Sequence, residues 1–102
     1  MVDRIVVNFR IEGAAIQSAN GKEALTMLAL VAAGPRGITS LETFKAGWAV
    51  RLAAYVGDLR KMSVVISTTR EAHDGGSHGR YILQSPVEIV SRSDRDEMAV
   101  AA

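Results

Sequence analysis

Residues Arg4 to Glu12, "RIVVNFRIE", alternate between two kinds of position. Ile5, Val7, Phe9 and Ile11 fall on one side, and Arg4, Val6, Asn8, Arg10 and Glu12 on the other. A period of two is what a strand with one buried face requires, and a strand is expected over residues 3–12. "GAAIQSANG" breaks the alternation and reads as irregular chain. From there the period lengthens. Leu25, Leu28 and the pair Val31–Ala32 recur at helical spacing. Asn20 is placed as the N-cap of this helix, with Glu23 three residues on as its capping-box partner. Gly34 offers the left-handed position that ends a helix, and Pro35 forbids its continuation.

A second capping signature, Thr39 with Glu42, sits in "ITSLETF", and Gly47 stops that helix within about two turns. A third helix is expected over residues 48–62, where Trp48, Leu52, Tyr55, Val56, Leu59 and Met62 share one stripe. "SVVISTTRE" is rich in β-branched residues and reads as a strand; "RYILQ" reads as its return, with Tyr81 and Leu83 on one face. Between them "AHDGGSHG" cannot continue a strand, because Asp74, Gly75 and Gly76 suit the positive φ of a tight connection. After Pro86, "VEIV" is expected to add a short strand. Three helices followed by a β-hairpin make the α+β pattern of a winged helix-turn-helix, here with an additional N-terminal strand. A chain of 102 residues fits one domain and leaves little room for two. The expectation is a single winged-helix domain over residues 1–91 and a flexible tail over 92–102.

At these residues the chain also resembles a known group. "ALTMLALVAAGPRGITSLE", "RLAAYVGDLRK" and "ISTTRE…GG…GRYIL" are similar to the small winged-helix domain proteins of bacteria, phages and prophages. The spacing of Arg51, Tyr55, Leu59 and Arg60 and the closing Arg80–Tyr81–Ile82–Leu83 carry most of the likeness. It spans Gly21 to Gln84, so the N-terminal strand and the C-terminal segment lie outside it. One position departs from the pattern: a glycine commonly follows the third helix, and this chain has Met62 and Ser63 there. The resemblance implies a DNA-binding regulator of transcription, with residues 48–62 as the helix that reads the major groove and residues 70–80 as the wing.

Composition narrows the partners. Twelve basic and eleven acidic residues give a net charge of +1, so overall charge does not announce nucleic acid. Nine of the twelve are arginine, the better residue for phosphate and base edges. No cysteine is present, which excludes disulfides and thiolate metal sites. "MVDRIVVNFR" carries an acid at Asp3 and only a short apolar run, so it does not read as a signal peptide. No apolar run approaches the roughly 20 residues that cross a bilayer. A cytoplasmic protein without membrane contact is expected. No paired carboxylates stand in an apolar setting and no base accompanies Ser40, so the chain is not expected to be an enzyme, and no cofactor is expected.

The stretch from Arg70 to Leu83 admits three readings. A metal site needs His73, Asp74 and His78 to converge, yet Gly75 and Gly76 leave these ligands on no rigid element, and no fourth ligand is in view. A phosphate-cradling loop needs glycines that open a helix, and these lead into a strand. A hairpin tip accounts for every residue. As a wing, its flanking Arg70, His73, His78 and Arg80 are suited to phosphates or an A·T-rich minor groove. The outward face of the third helix carries Val50, Ala54, Gly57 and Lys61, flanked by Arg51, Asp58 and Arg60. The centre of that face lacks the side chains that usually read base edges. Contacts to double-stranded DNA are therefore expected from Arg51, Arg60 and Lys61, with Lys45 and Arg36 on phosphates, besides the wing residues. The alternative is a winged-helix module whose sheet or third helix binds protein. Trp48 and Tyr55 share the buried stripe and are expected in the core.

The N-terminal strand is surplus to the helices and hairpin, and its apolar face must be covered. It can pair with the same strand of a second subunit or with its own chain, at Val87–Val90 or at the wing hairpin. A homodimer through this strand is the expectation, because such regulators usually read two half-sites related by a twofold axis.

Overall fold

The alternation of residues 5–11 is realised in a computed structural model, which describes residues 5–49, 51–73 and 75–94, with His73 and Asp94 described by their backbone alone. Ile5–Ile11 forms β1, with Ile5, Val7 and Phe9 buried. After a turn at Gly13, where φ is +80°, the chain returns as β2 (Ile16–Asn20), antiparallel to β1. The expected irregular segment is thus in part a strand. Exposure alternates along β2, with Gln17 and Ala19 turned inward, but the inward pair is polar and small while Ile16 is exposed, so no apolar alternation marks it in the sequence, and hydrogen bonding to β1 is what extends it.

α1 (Gly21–Ala33) follows without a linker and buries Ala24, Met27 and Leu30. Thr26 is buried too, and its hydroxyl donates to the Lys22 carbonyl at 2.7 Å. Asn20 takes the N-cap position, but its side chain makes no capping bond, so the expected box with Glu23 does not form. The reason is that Asn20 also belongs to β2, in register with Val6 on the outer face of the sheet. Gly34 has φ +57° and opens a 3₁₀ turn, Gly34–Arg36.

β3 (Ile38–Thr39) leads into α2 (Ser40–Lys45). Here the capping box is complete: the Glu42 amide donates to Thr39 Oγ1 at 3.2 Å, and the Thr39 amide donates to Glu42 Oε1 at 2.8 Å. Gly47, at φ +83°, follows the helix. α3 spans Leu52–Arg60, inside the expected 48–62, and buries Leu52, Val56 and Leu59. Its start is later because the Trp48 and Ala49 amides fold back onto the Thr43 carbonyl, at 3.3 and 3.5 Å. At the other end, the Ser63 amide donates to the Arg60 carbonyl and the Val64 amide to that of Leu59, with Ser63 at φ +69°. This is a Schellman closure. Serine occupies the position where a glycine is common.

β4 (Ile66–His73) and β5 (Gly76–Leu83) form the hairpin, in register from Ile66 opposite Leu83 to His73 opposite Gly76. β3 adds to the other edge of β5, giving the order β3-β5-β4. β6 (Val87–Asp94) crosses back to β1, and the second sheet has the order β2-β1-β6. Two expectations change. β1 is a central strand hydrogen-bonded on both edges, so it has no edge to offer a second subunit, and the homodimer through this strand is overturned. Its intrachain alternative at Val87–Val90 is the one that forms. β6 also runs to Asp94, three residues into the segment expected as a tail, because Arg92, Ser93 and Asp94 pair with Val7, Val6 and Ile5; residues 95–102 lie outside the described ones.

One core unites the two sheets and the helices. Val7, Phe9, Met27, Leu30, Leu52 and Leu59 are among its fully buried side chains. Trp48 and Met62 pack at its margin, and Tyr55 is half-buried. The outer face of β2-β1-β6 mixes polar pairs with apolar side chains: Asn8 donates to Ser91 Oγ at 2.9 Å and accepts from the Ser18 hydroxyl, Arg10 pairs with Glu88, and Ile16 is exposed opposite Arg10. Among the described residues no helix is long and apolar enough to cross a membrane.

Candidate nucleic-acid interface

Lys45 ends α2, Arg51 precedes α3, Lys61 follows it, and Arg70 lies on β4. All four are exposed, and none makes a side-chain hydrogen bond or ion pair among the described residues. Arg36, in the turn before β3, is held loosely, 3.7 Å from Glu42. These five are basic groups with their charge turned to solvent.

Three other expected residues are engaged with the protein itself. Arg60 donates through Nε and Nη2 to the Ile66 carbonyl, at 3.3 and 2.7 Å, and through Nη2 to Thr68 Oγ1 at 3.0 Å. It ties the end of α3 to the start of β4. His78 Nε2 lies 3.0 Å from Glu71 Oε1. Arg80 meets the same carboxylate, and its side chain is only 22% exposed. Arg80 and then His78 hold the Glu71 carboxyl below its ordinary range, against some desolvation, and Glu71 in turn raises Arg80. The ninth expected residue, His73, lies on β4 at the tip, its side chain outside the described residues, as is Asp74.

The surface of α3 carries small groups, with Ala53 exposed and Ala54 and Gly57 half-buried, beside the larger Tyr55, Asp58 and Arg60. Val50 lies outside the described residues. α2 has an unexpected polarity. Its buried residue is Thr43, whose hydroxyl lies 3.0 Å from the Ser40 carbonyl and 3.3 Å from that of Ala49. Leu41 and Phe44 face solvent, 55% and 60% exposed. The spacing of Leu41 and Phe44 by three is visible in "ITSLETF"; the inward turn of Thr43 is what a stripe argument misses. Glu42 and Glu71, which organise the basic groups, also escaped prediction as site residues. For Glu71 a cue existed: a hairpin register with His73 opposite Gly76 sets it opposite His78 and diagonal to Arg80.

Exposed cations thus stand at the end of α2, at either end of α3 and on β4 of the hairpin, which suits a polyanion. Comparison with known proteins bears on this. A family model described as a winged helix domain matches residues 6–93. No curated protein and no solved structure gives a significant match. The matched segment extends beyond the Gly21–Gln84 likeness and includes both flanks of the β2-β1-β6 sheet. Because it runs from β1 into β6 and takes in every element between them, the chain belongs to the winged helix domain family.

Proposed function

We propose that this protein is a small sequence-specific regulator of transcription that binds double-stranded DNA, with α3 at the major groove and the β4–β5 wing along the backbone. The observation that carries the reading is the placement of Lys45, Arg51, Lys61 and Arg70, exposed and unpaired among the described residues, at the end of α2, at both ends of α3 and on the wing. A cation in that state neutralises a phosphate and releases the counterion condensed there. Arg36, held only loosely by Glu42, is placed beside them on phosphate. Arg60, His78 and Arg80 shape that surface through their bonds to β4 and to the turn before β3. The small side chains of α3 allow close approach, and alanine methyls can touch thymine methyls. The reading includes a bacterial or phage type of regulator, a cytoplasmic location and two copies on a twofold-related site, joined by a surface other than β1.

The test is affinity for a short duplex across a salt series. Each phosphate contact adds about −0.9 to the log–log slope, so the four cations predict a slope of roughly −3 to −4 per chain. A protein that ignores duplex at low salt overturns the proposal. A second reading, a protein-binding module, is favoured by the outward Leu41 and Phe44. It predicts no salt-sensitive binding to duplex, and loss of a protein partner on Phe44→Ser.

A further inference from the structure

We infer that Arg80 is a positioning residue for DNA binding, fastening the wing to the helix-turn-helix unit rather than touching DNA. The inference rests on the DNA-binding reading above. Arg80 stands mid-sheet on β5, opposite Thr39 of β3 on one side and Thr69 of β4 on the other. Its guanidinium grips Glu71 with two bonds, Nε to Oε2 at 2.6 Å and Nη2 to Oε1 at 3.1 Å. Nη1 reaches the Arg36 carbonyl at 3.2 Å and Glu42 Oε1 at 3.5 Å. That Glu42 oxygen also accepts the Thr39 amide in the capping box of α2. One planar group thus joins the wing strand β4, the turn before β3 and the first turn of α2. A lysine ammonium cannot reproduce a fork of this geometry.

The wing needs such a fastening. β3 covers only two residues of β5, so beyond Arg80 the hairpin is a two-stranded ribbon, which has little stability of its own. Arg70 sits on that ribbon next to Glu71. Its position relative to Lys45, Arg51 and Lys61 depends on where Arg80 holds β4. Cations that must meet phosphates at fixed spacing lose affinity if one of them has to be ordered during binding.

The charges make the two accounts give opposite signs. If Glu71 and Arg80 acted on DNA through charge alone, removing the Glu71 carboxylate would tighten binding, because a negative group near the phosphates disappears. If they hold the wing, the same change weakens binding. The experiment measures short-duplex affinity across a salt series for Glu71→Gln, Glu42→Gln, Arg80→Lys and, for comparison, Arg70→Ala. Amide exchange of β4 and β5 is followed in the free proteins. Glu71→Gln and Arg80→Lys are expected to bind several-fold more weakly with an unchanged salt slope, and with faster exchange in the wing. Glu42→Gln is expected to show the same change in smaller degree. Arg70→Ala is expected to lose about one unit of slope. Equal or tighter binding by Glu71→Gln, or wild-type binding by Arg80→Lys, overturns the inference. If the wild type binds no duplex, the DNA reading itself has failed, and the exchange measurement then decides alone whether Arg80 fastens the wing.

Discussion

Ser63 carries its cost in the backbone. At φ +69° its Cβ sits in a region that L side chains disfavour by roughly 1–2 kcal/mol, and glycine takes that conformation freely. The Schellman closure at the end of α3 holds it there, with Val64 and Leu59 buried beside each other in the core. Ser63→Gly is therefore expected to stabilise the protein by up to about 1 kcal/mol, a rise in Tm of about 4–8 °C. An unchanged melting curve would contradict this. Gly37 shows the opposite case. Its φ is +67°, and an added Cβ would collide with the Tyr81 carbonyl oxygen and come within 2.7 Å of Ile82 Cγ1. Gly37→Ala is expected to cost more than about 2 kcal/mol, read as a loss of denaturant midpoint. A similar cost at Gly34, where a Cβ meets nothing within 4 Å, would show that backbone conformation alone and not the collision sets the penalty.

Between elements, charge decides more than the helical stripes show. Glu23 on α1 lies beside Asp58 on α3, and burial together with the Asp58 charge pushes its carboxyl above the ordinary range. A group whose pKa is raised by folding favours the folded state below its unfolded pKa, and that contribution is lost as pH rises through the folded value. Glu23→Gln is expected to stabilise the protein at neutral pH, with the gain vanishing in acid; urea midpoints at several pH values check it. Glu71 has the reverse sign, since its pKa is lowered: its contribution is present above the unfolded pKa and lost as pH falls through the folded one. The elements that were legible in sequence are those with local marks. β1 has its alternation, α2 its Thr39–Glu42 box and the wing its Asp74–Gly76 turn. β2 has no such mark, because Ala19 is its single buried residue. The start of α3 was hidden too, since Trp48 continues the apolar stripe while its amide turns back to α2. Much the same holds for the site: the arginines stand out in the sequence, whereas the acids that occupy Arg80 and His78 become their partners only through the hairpin register and the approach of α2.

At the scale of the whole molecule, the second sheet belongs to the core rather than decorating it. Phe9 on β1 is fully buried against the helices. Phe9→Ala is expected to cost about 3–5 kcal/mol, a large share of the roughly 5–15 kcal/mol that holds a domain together. Its thermal transition should fall steeply, and a small shift would mean that the sheet packs less closely than its burial implies. Because β1 takes β2 on one edge and β6 on the other, its completion joins residues 83 positions apart, as in the Asn8–Ser91 bond. During synthesis the first strand and its hairpin partner emerge together, but the remaining edge stays open until almost all of the described chain has left the ribosome. The helix-turn-helix and the wing can be present before their supporting sheet is closed. Late, non-local pairing of this kind slows folding and leaves an edge exposed to other nascent chains. Of the described strands, β6 is made last, and it is the one that shields β1.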